Sequence, residues 1–527
     1  RSCGQALRRE LEQGGIEYIG QDTIEALYEN IKAQSVRPGL CKTAGLKLVY
    51  SPLNGSGLVP VTRVLGDIGI TDITIVPEQQ YPDGNFPTCP YPNPEIREAL
   101  ALGLALAEKS GADLMLATDP DADRVGIAVK NHDNEFILMS GNEVGMLLLD
   151  YICRQRTAAG TMPEHPVFVK TIVTIDMAAR IAADYGVSTV DVLTGFKFIG
   201  EQIGRLEKDG RDGDYILGFE ESYGYLSGSY VRDKDAVDGA LLICEMFAYY
   251  QSQGLSLPDV LEGLYRKYGY CLNTLHSYEF EGMEGFGKMQ GIMEKLHGLD
   301  VTTGLTIGGR KVETIEDYLS GRKLHRNGTL EDITGLPSSD VLKFRLEGSC
   351  SLVVRPSGTE PKLKLYISVS AESLELAKAE ERISKTKALE MFQQDLLDTF
   401  EVGTFRGLSQ IHKYLFDEIY DVAGQVRTVN IAKGGFRFVP VLYLTSALEN
   451  ISRMPQSTFD EIIAKYVEMN VAHPFREGTG RSTRIWLDAI LKKEIGYVVD
   501  WSRVDKNEYL LAMERSPIKD LEIRHIL

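Results

Sequence analysis

Leu116-Ala117-Thr118-Asp119-Pro120-Asp121-Ala122-Asp123-Arg124 places three carboxylates at alternate positions directly after an apolar run, and an arginine closes the set. In a turn, alternate spacing lets all three side chains point at one centre. Hard oxygen ligands at that density suit Mg²⁺, which binds through a few carboxylates and a substrate phosphate oxygen. A bare acidic turn can equally be solvated, so the flanks decide. Upstream, Leu46 to Tyr50 reads as a strand, Asn54-Gly55-Ser56-Gly57 as a glycine turn into a helix, and Ile73 to Val76 as a second strand. That is a βαβ unit. The Gly-Ser-Gly lacks the full glycine spacing of a dinucleotide site and reads as a plain strand-to-helix turn. A proline-rich loop from Pro82 to Pro94 follows, then an expected helix from Pro94 to Ser110. The strand Asp113 to Ala117 then delivers the acidic loop at its carboxyl end, where open α/β sheets favour ligand loops.

A second α/β block starts near Val167, with strands at Val167 to Val173 and Thr189 to Leu193 and a helix from Met177 to Tyr185. It carries two loops, Thr194-Gly195-Phe196-Lys197 and Gly218-Phe219-Glu220-Glu221-Ser222-Tyr223-Gly224, before a helix from Asp235 to Tyr250. Lys197 offers a phosphate or sugar contact, and Glu220 and Ser222 place acceptors where sugar hydroxyls can be held. Neither loop is specific alone. A third block, from about His276 to Lys385, has two strands, Leu352 to Val354 and Leu363 to Val369, around Arg355-Pro356-Ser357-Gly358-Thr359-Glu360. A guanidinium, two hydroxyls and glycine-exposed N–H groups in one turn are the parts of a phosphate clamp.

The formal net charge of −18 argues against a general nucleic-acid or acidic-membrane binder. Seven cysteines are scattered without a C-x-x-C pair, which suits reduced thiols in a cytoplasmic protein rather than a disulfide or zinc framework. No apolar run approaches the length of a membrane span and no signal peptide is evident, so no membrane partner is expected. The chain opens on Arg1, not methionine, and upstream sequence is expected to be missing. Ala371 to Phe400 has neither Gly nor Pro and is expected to be helical rather than a flexible linker.

Taken together and in this order, the acidic loop, the T-G-aromatic-K loop, the E-E-S loop and the R-P-S-G-T-E loop resemble domains 2, 3 and 4 of the phosphohexomutases, of the bacterial phosphoglucomutase type. The resemblance covers about Ile16 to Lys385 and includes Pro82-Asp83-Gly84-Asn85-Phe86-Pro87. It implies that Asp119, Asp121 and Asp123 hold Mg²⁺ and that Arg124 sits beside a transferring phosphoryl group. It further implies that Glu220 and Ser222 grip sugar hydroxyls, and that Arg355, Ser357, Gly358 and Thr359 hold the non-reacting phosphate of a hexose phosphate or hexose bisphosphate. Family members pass a phosphoryl group from a phosphoserine in a Ser-His-Asn-Pro-type loop, and that loop is not in this sequence. The resemblance therefore implies binding without the mutase cycle.

The composition changes after Lys385. Thr458 and Glu461 form a capping box opening a helix with Ile463, Val467 and Val471 on one face, and that helix delivers His473. His473-Pro474-Phe475-Arg476-Glu477-Gly478-Thr479-Gly480-Arg481-Ser482-Thr483-Arg484 then leads into another helix, Ile485 to Lys493. A histidine base, a carboxylate metal ligand, two glycines at a helix N-terminus and two arginines suggest nucleotidyl or phosphoryl transfer. The string resembles the H-P-F-x-[D/E]-G-N-G-R-x-x-R motif of the Fic family, over about Thr386 to Leu527, with Gly434-Gly435-Phe436-Arg437-Phe438 similar to its target-docking flap. Fic proteins mostly transfer AMP from ATP to a Ser, Thr or Tyr hydroxyl on a protein. The resemblance implies that His473 deprotonates the target, Glu477 binds Mg²⁺, and Gly478, Gly480 and Arg481 hold the phosphates, with Arg484 pairing to phosphate or bracing the loop. Thr479 stands where the family has Asn and loses an amide donor to the nucleotide. The inhibitory [S/T]-x-x-x-E-[G/N] helix of a close subgroup is not found after the core; Thr445 with Glu449-Asn450 and Ser277 with Glu281-Gly282 read as chance matches.

The expected fold class is α/β mutase-type domains with mixed three-layer sheets, a smaller α+β domain, and an all-α Fic fold. Boundaries are placed at 1–165, 166–275, 276–385 and 386–527. Three functional readings stand open: an AMP transferase joined to a sugar-phosphate module, a non-catalytic scaffold, and an assembly artefact joining two neighbouring genes.

Overall fold

Alternating burial along two adjacent strands builds the first sheet. β1 (Lys47–Ser51) sends Leu48 and Tyr50 into one apolar cluster and Val49 into another, and β3 (Leu114–Thr118) splits Leu114 and Leu116 from Met115 and Ala117 in the same way. A sheet buried on both faces needs apolar residues at every position, which is why these strands read as continuous apolar runs. The computed structural model describes residues 9, 11–280, 282–307, 310–357, 362–374, 376–378, 381, 400–416, 422–433, 436–501, 503–517 and 520–527. They fall into two compact units, residues 1–277, 299–356 and 364–385 in one and 278–298, 357–363 and 386–527 in the other.

In the first unit the strand order is β2–β1–β3–β4–β5, with β2 at Asp72–Ile75, β4 at Val125–Lys130 and β5 at Phe136–Met139. β1 runs parallel to β2 and β3, while β4 and β5 return antiparallel. α1 (Leu58–Ile68) buries Val61, Val64 and Leu65 on one side, and α2 (Ala101–Ser110) buries Leu104 and Ala107 on the other. The helix expected from Pro94 starts later. Asn93 Oδ1 accepts from the Glu95 N–H at 3.0 Å, Arg97–Leu100 is a 3₁₀ turn, and α2 begins only at Ala101. The Asn-Pro turn competes with the first helical turn for the same backbone groups.

A second mixed sheet has order β7–β6–β8–β9, with β6 at Val167–Thr171, β7 at Ser188–Val192, β8 at Tyr215–Phe219 and β9 at Tyr225–Leu226. Its faces are covered in the same alternating fashion, Phe168 and Phe219 to one cluster, Val167 and Val169 to the other. α3 (Met177–Asp184), α4 (Phe196–Lys208) and α5 (Ala236–Ser252) pack on it or on the first sheet. A third sheet includes β10 (Tyr270–Glu279), β11 (Leu342–Leu346), β12 (Cys350–Pro356) and β13 (Lys362–Ala371), so the strands expected on either side of Arg355 are present.

The second unit is mostly helical. α6 (Phe405–Phe416), α7 (Val441–Arg453), α8 (Phe459–Ala472) and α9 (Thr479–Ile495) surround Trp486, Leu487, Ile490 and Leu491, which share one face of α9. The Thr458–Glu461 capping box forms as expected. α9 starts six residues before the expected Ile485, because left-handed Gly478 (φ 76°) turns the chain directly into helix at Thr479. A two-stranded antiparallel hairpin pairs Ala432–Lys433 with Phe436–Arg437. Gly434 and Gly435 lie outside the described residues, as do Gly358, Thr359 and most of the helix expected over Ala371 to Phe400. Among the described residues no helix is long and apolar enough to cross a membrane.

Candidate functional site

In the acidic loop Ala122 adopts a left-handed backbone (φ 58°), uncommon for a residue with a Cβ. Oxygens of Asp119, Asp121 and Asp123 all lie within 4.8 Å of one another. Asp119 is buried; its Oδ1 accepts from the N–H groups of Asp123 (3.1 Å) and Arg124 (2.9 Å), and its Oδ2 accepts from Arg124 Nε at 2.6 Å. Burial pushes its carboxyl up to about 6 against the pull of Arg124. Asp123 Oδ1 is buried and, among the described residues, receives no hydrogen bond, with Arg124 Nε 3.5 Å away. Three carboxylates, one with an orphaned oxygen, beside two cations form a donor set that fits Mg²⁺.

Two contacts here were not read from the sequence. Lys234 Nζ lies 3.0 Å from Asp123 Oδ2, and Glu95 lies 3.8 Å from Arg124. The glycine turn has a role beyond turning. A Cβ on Gly55 would stand 2.3 Å from the Pro120 backbone, and the Ser56 N–H donates to Pro120 O at 2.8 Å, so the turn is the floor of the acidic loop. Lys234 sits in a run of alternating charges, Arg232-Asp233-Lys234-Asp235, which was the one available signal.

Glu220 Oε1 accepts from the Gly195 N–H at 2.9 Å, joining the E-E-S loop to the T-G-aromatic-K loop. Burial raises Glu220, opposed by Lys234. Burial and then Glu220 push Glu221 up to about 7, with Arg355 opposing. Ser222 is half-buried, and Lys197 is exposed with its ammonium 4.9 Å from the Phe198 ring centre. Arg355 Nε is buried with no hydrogen-bond partner among the described residues, and its guanidinium lies 6.0 Å from the Tyr366 ring centre. In the second unit the Ser357 N–H donates to Lys362 O at 2.7 Å, closing the base of the R-P-S-G-T-E loop.

The second unit holds a cavity of about 920 Å³ lined by His473, Glu477, Gly478, Gly480, Arg481 and Arg484, with Trp501 and Tyr509 further along it. His473 ends α8 in the left-handed region (φ 46°, ψ 65°), and the Phe438 ring stacks on its imidazole at 4.0 Å. Glu477 is exposed. Gly478 has to be glycine: a Cβ there would meet the Phe416 ring at 2.4 Å. Arg481 lies 4.6 Å over Phe416 and Arg484 5.6 Å over Trp501, while Arg484 Nε also donates to Gly480 O at 3.1 Å. Thr479 is among the residues lining the cavity, and its hydroxyl donates to Phe475 O at 3.2 Å. His412 and Arg427, both buried, brace this site and were missed by sequence reading.

With this geometry in place, comparison separates the parts. Residues 24–132 match the family described as phosphoglucomutase/phosphomannomutase, alpha/beta/alpha domain II, residues 140–268 match domain III, and residues 404–491 match the Fic/DOC family. This chain joins phosphoglucomutase/phosphomannomutase domains II and III to a Fic domain. The phosphoglucomutase of Staphylococcus saprophyticus is 36% identical over 366 residues, 69% of this chain and 64% of that protein. The phosphoglucomutase of Staphylococcus epidermidis (ATCC 12228) is 34% identical over 367 residues, again 69% and 64%. The chain thus spans less than two thirds of these curated relatives. A solved phosphoglucomutase/phosphomannomutase family protein from Burkholderia thailandensis is 18% identical, covering 69% of this chain and 64% of that one with a TM-score of 0.47. The acidic, E-E-S and T-G-aromatic-K loops fall in the mutase domains, and the His473 string falls in the Fic domain.

Proposed function

We propose that the Fic domain transfers AMP from ATP to a Ser, Thr or Tyr hydroxyl of a protein. One observation carries this reading: His473 and the N-terminal turn of α9 open on the same cavity. In the proposed reaction a ring nitrogen of His473 takes the proton of the target hydroxyl, whose oxygen attacks the α-phosphorus of ATP. The bond from that phosphorus to the bridging oxygen breaks, and pyrophosphate leaves. The first N–H groups of α9, with Arg481 and Arg484, would hold the phosphates. Glu477 would hold Mg²⁺, which when bound offsets phosphate charge. The test uses ATP labelled in its α-phosphate, with Mg²⁺ and a bacterial lysate. Label should reach protein with the intact chain and be lost with His473→Ala or EDTA; label independent of His473 defeats the reading.

For the mutase domains we propose Mg²⁺-assisted binding of a hexose phosphate or bisphosphate, supported by the convergence of Asp119, Asp121 and Asp123. In that reading Arg124 faces the transferring phosphoryl group, Glu220, Ser222 and Lys197 hold sugar or phosphate, and Arg355 with Ser357, Gly358 and Thr359 holds the distal phosphate. The proposed boundaries stay at 1–165, 166–275, 276–385 and 386–527. Six buried cysteines among the described residues support a reducing, cytoplasmic location. Calorimetry with glucose 1-phosphate is the check: binding should need Mg²⁺ and weaken about ten-fold or more in Asp123→Asn. Equal binding with and without Mg²⁺ would overturn the metal role.

A further inference from the structure

We infer that Arg427 is a positioning residue that ties the proposed base His473 to both ends of the flap hairpin; this rests on the AMP-transfer reading of the same site. Arg427 is 2% exposed, yet its guanidinium donates to four backbone carbonyls. Nε reaches His473 O at 2.8 Å, Nη2 reaches Ala472 O at 3.1 Å and Val439 O at 2.5 Å, and Nη1 reaches Val429 O at 2.8 Å. Its own N–H donates to Pro474 O at 2.8 Å. Among the described residues no carboxylate pairs with it, so these carbonyls are what compensates its buried charge.

The four acceptors belong to two pieces of backbone. Ala472 and His473 form the carboxyl end of α8, whose last carbonyls have no partner within the helix. Val429 and Val439 stand on either side of the hairpin strands Ala432–Lys433 and Phe436–Arg437. Val439 also donates its N–H to Val471 O at 3.2 Å. Its neighbour Phe438 stacks on the His473 ring. Arg427 therefore holds the backbone on both sides of that stack: the left-handed His473 on one side, the residue after Phe438 on the other. Left-handed backbone is disfavoured for histidine and persists where surrounding bonds over-determine it. A planar fork with five N–H donors can reach four carbonyls at once, whereas a lysine ammonium has three donors from one point.

No nucleotide contact runs through Arg427, so its loss should separate binding from transfer. The experiment compares the full chain with Arg427→Met and Arg427→Lys in three measurements. These are binding of a fluorescent ATP analogue with Mg²⁺, the rate of His473-dependent AMP labelling, and the rate at which diethylpyrocarbonate modifies His473. For Arg427→Met, nucleotide affinity should stay within about three-fold, labelling should fall about thirty-fold or more, and His473 modification should change about three-fold or more. Arg427→Lys should recover part of the labelling. If Arg427→Met does not fold, a folded Arg427→Lys with wild-type labelling and wild-type His473 modification overturns the inference. So does a folded Arg427→Met with both rates unchanged, or one whose nucleotide affinity and labelling fall by the same factor. If the wild-type chain binds nucleotide without labelling protein, the AMP-transfer reading fails, and the His473 modification rates still decide what Arg427 does.

Discussion

His412 donates from Nε2 to the carbonyl oxygen of Glu477 at 2.7 Å, while its Nδ1 accepts from the Gly424 N–H at 2.9 Å. Because Nδ1 accepts a backbone N–H, the proton must reside on Nε2, and the neutral ring fills both positions. The ring lies 3.8 Å from that of Phe475, between the residues proposed as base and metal ligand. A buried imidazole thus fixes the backbone on which Glu477 and Gly478 stand.

That relationship yields a first prediction. His412→Phe keeps an aromatic ring and deletes both hydrogen bonds, leaving a carbonyl and an N–H, both partly buried, without these partners. The expected loss is about 2–4 kcal/mol of stability in the Fic domain. Urea denaturation followed by Trp486 and Trp501 fluorescence would show it as a lower midpoint. An unchanged midpoint would mean water replaces the ring nitrogens at no cost.

A second prediction concerns the mutase domains, where Lys170 and Lys343, both buried, meet Asp176 at 3.1 Å each. Lys343 also donates to Ile172 O at 2.9 Å, and Ser351 donates to Asp176 at 3.1 Å. Burial alone would push the Asp176 carboxyl up, but Lys343, Lys170 and Arg345 hold it well below the usual carboxylate range. Lys343→Met leaves part of that charge uncompensated and should cost about 3–5 kcal/mol. The sign of the pH effect follows from the depressed carboxyl. Its contribution is complete above the unfolded value near pH 4 and is lost as pH falls below it. Thermal unfolding of wild type and Asp176→Asn should therefore keep a constant gap from pH 7 to about pH 4 and begin to narrow as pH falls towards 3. Parallel curves across that range would remove Asp176 from the account.

Much of this was legible in the chain itself. Leu48, Val49 and Tyr50 announce a strand buried on both faces, and the Thr458–Glu461 pair announces the start of α8, because burial and capping leave local patterns. The three aspartates and the His473 string could likewise be read, since their chemistry is packed into a few consecutive residues. The braces could not. Arg427 lies 46 residues from His473 and His412 lies 65 residues from Glu477, and each acts on backbone carbonyls that carry no side-chain signature. Lys234 reaches Asp123 only because α5 and the acidic loop are brought together, with the Ala236 N–H donating to Ala122 O at 3.1 Å. The bond from the Thr479 hydroxyl to Phe475 O was hidden for a related reason: it depends on where α9 begins.

The third prediction tests the phosphate clamp. Arg355 keeps a buried Nε with no partner among the described residues, the condition of a donor shaped for an acceptor that arrives with ligand. Arg355→Ala should weaken glucose 1-phosphate binding about ten- to a hundred-fold, the cost of losing a charge-assisted contact to phosphate. Arg355→Lys should recover only part of it, because an ammonium cannot make a bidentate fork. Titration calorimetry in the presence of Mg²⁺ measures all three; equal affinities would place the phosphate elsewhere.

The last prediction turns on Thr479. Its hydroxyl donates back to Phe475 O, and the side chain is 1% exposed, so it offers the cavity no donor of its own. An asparagine at this first position of α9 carries an amide that is longer than the hydroxyl and can donate twice. Gaining one charge-assisted hydrogen bond to a phosphate is worth about 1.5–3 kcal/mol, on the order of ten- to a hundred-fold in affinity or rate. Thr479→Asn should therefore raise Mg²⁺-dependent AMP labelling by about ten-fold or more over the slow rate expected of the natural chain. Thr479→Ala should leave that rate within about three-fold, since the hydroxyl serves Phe475 rather than nucleotide. Both variants should lose all labelling when combined with His473→Ala. If Thr479→Ala instead abolishes labelling while the protein stays folded, the hydroxyl leaves Phe475 to grip phosphate, and the account of the Thr479 side chain given by its bond to Phe475 is wrong.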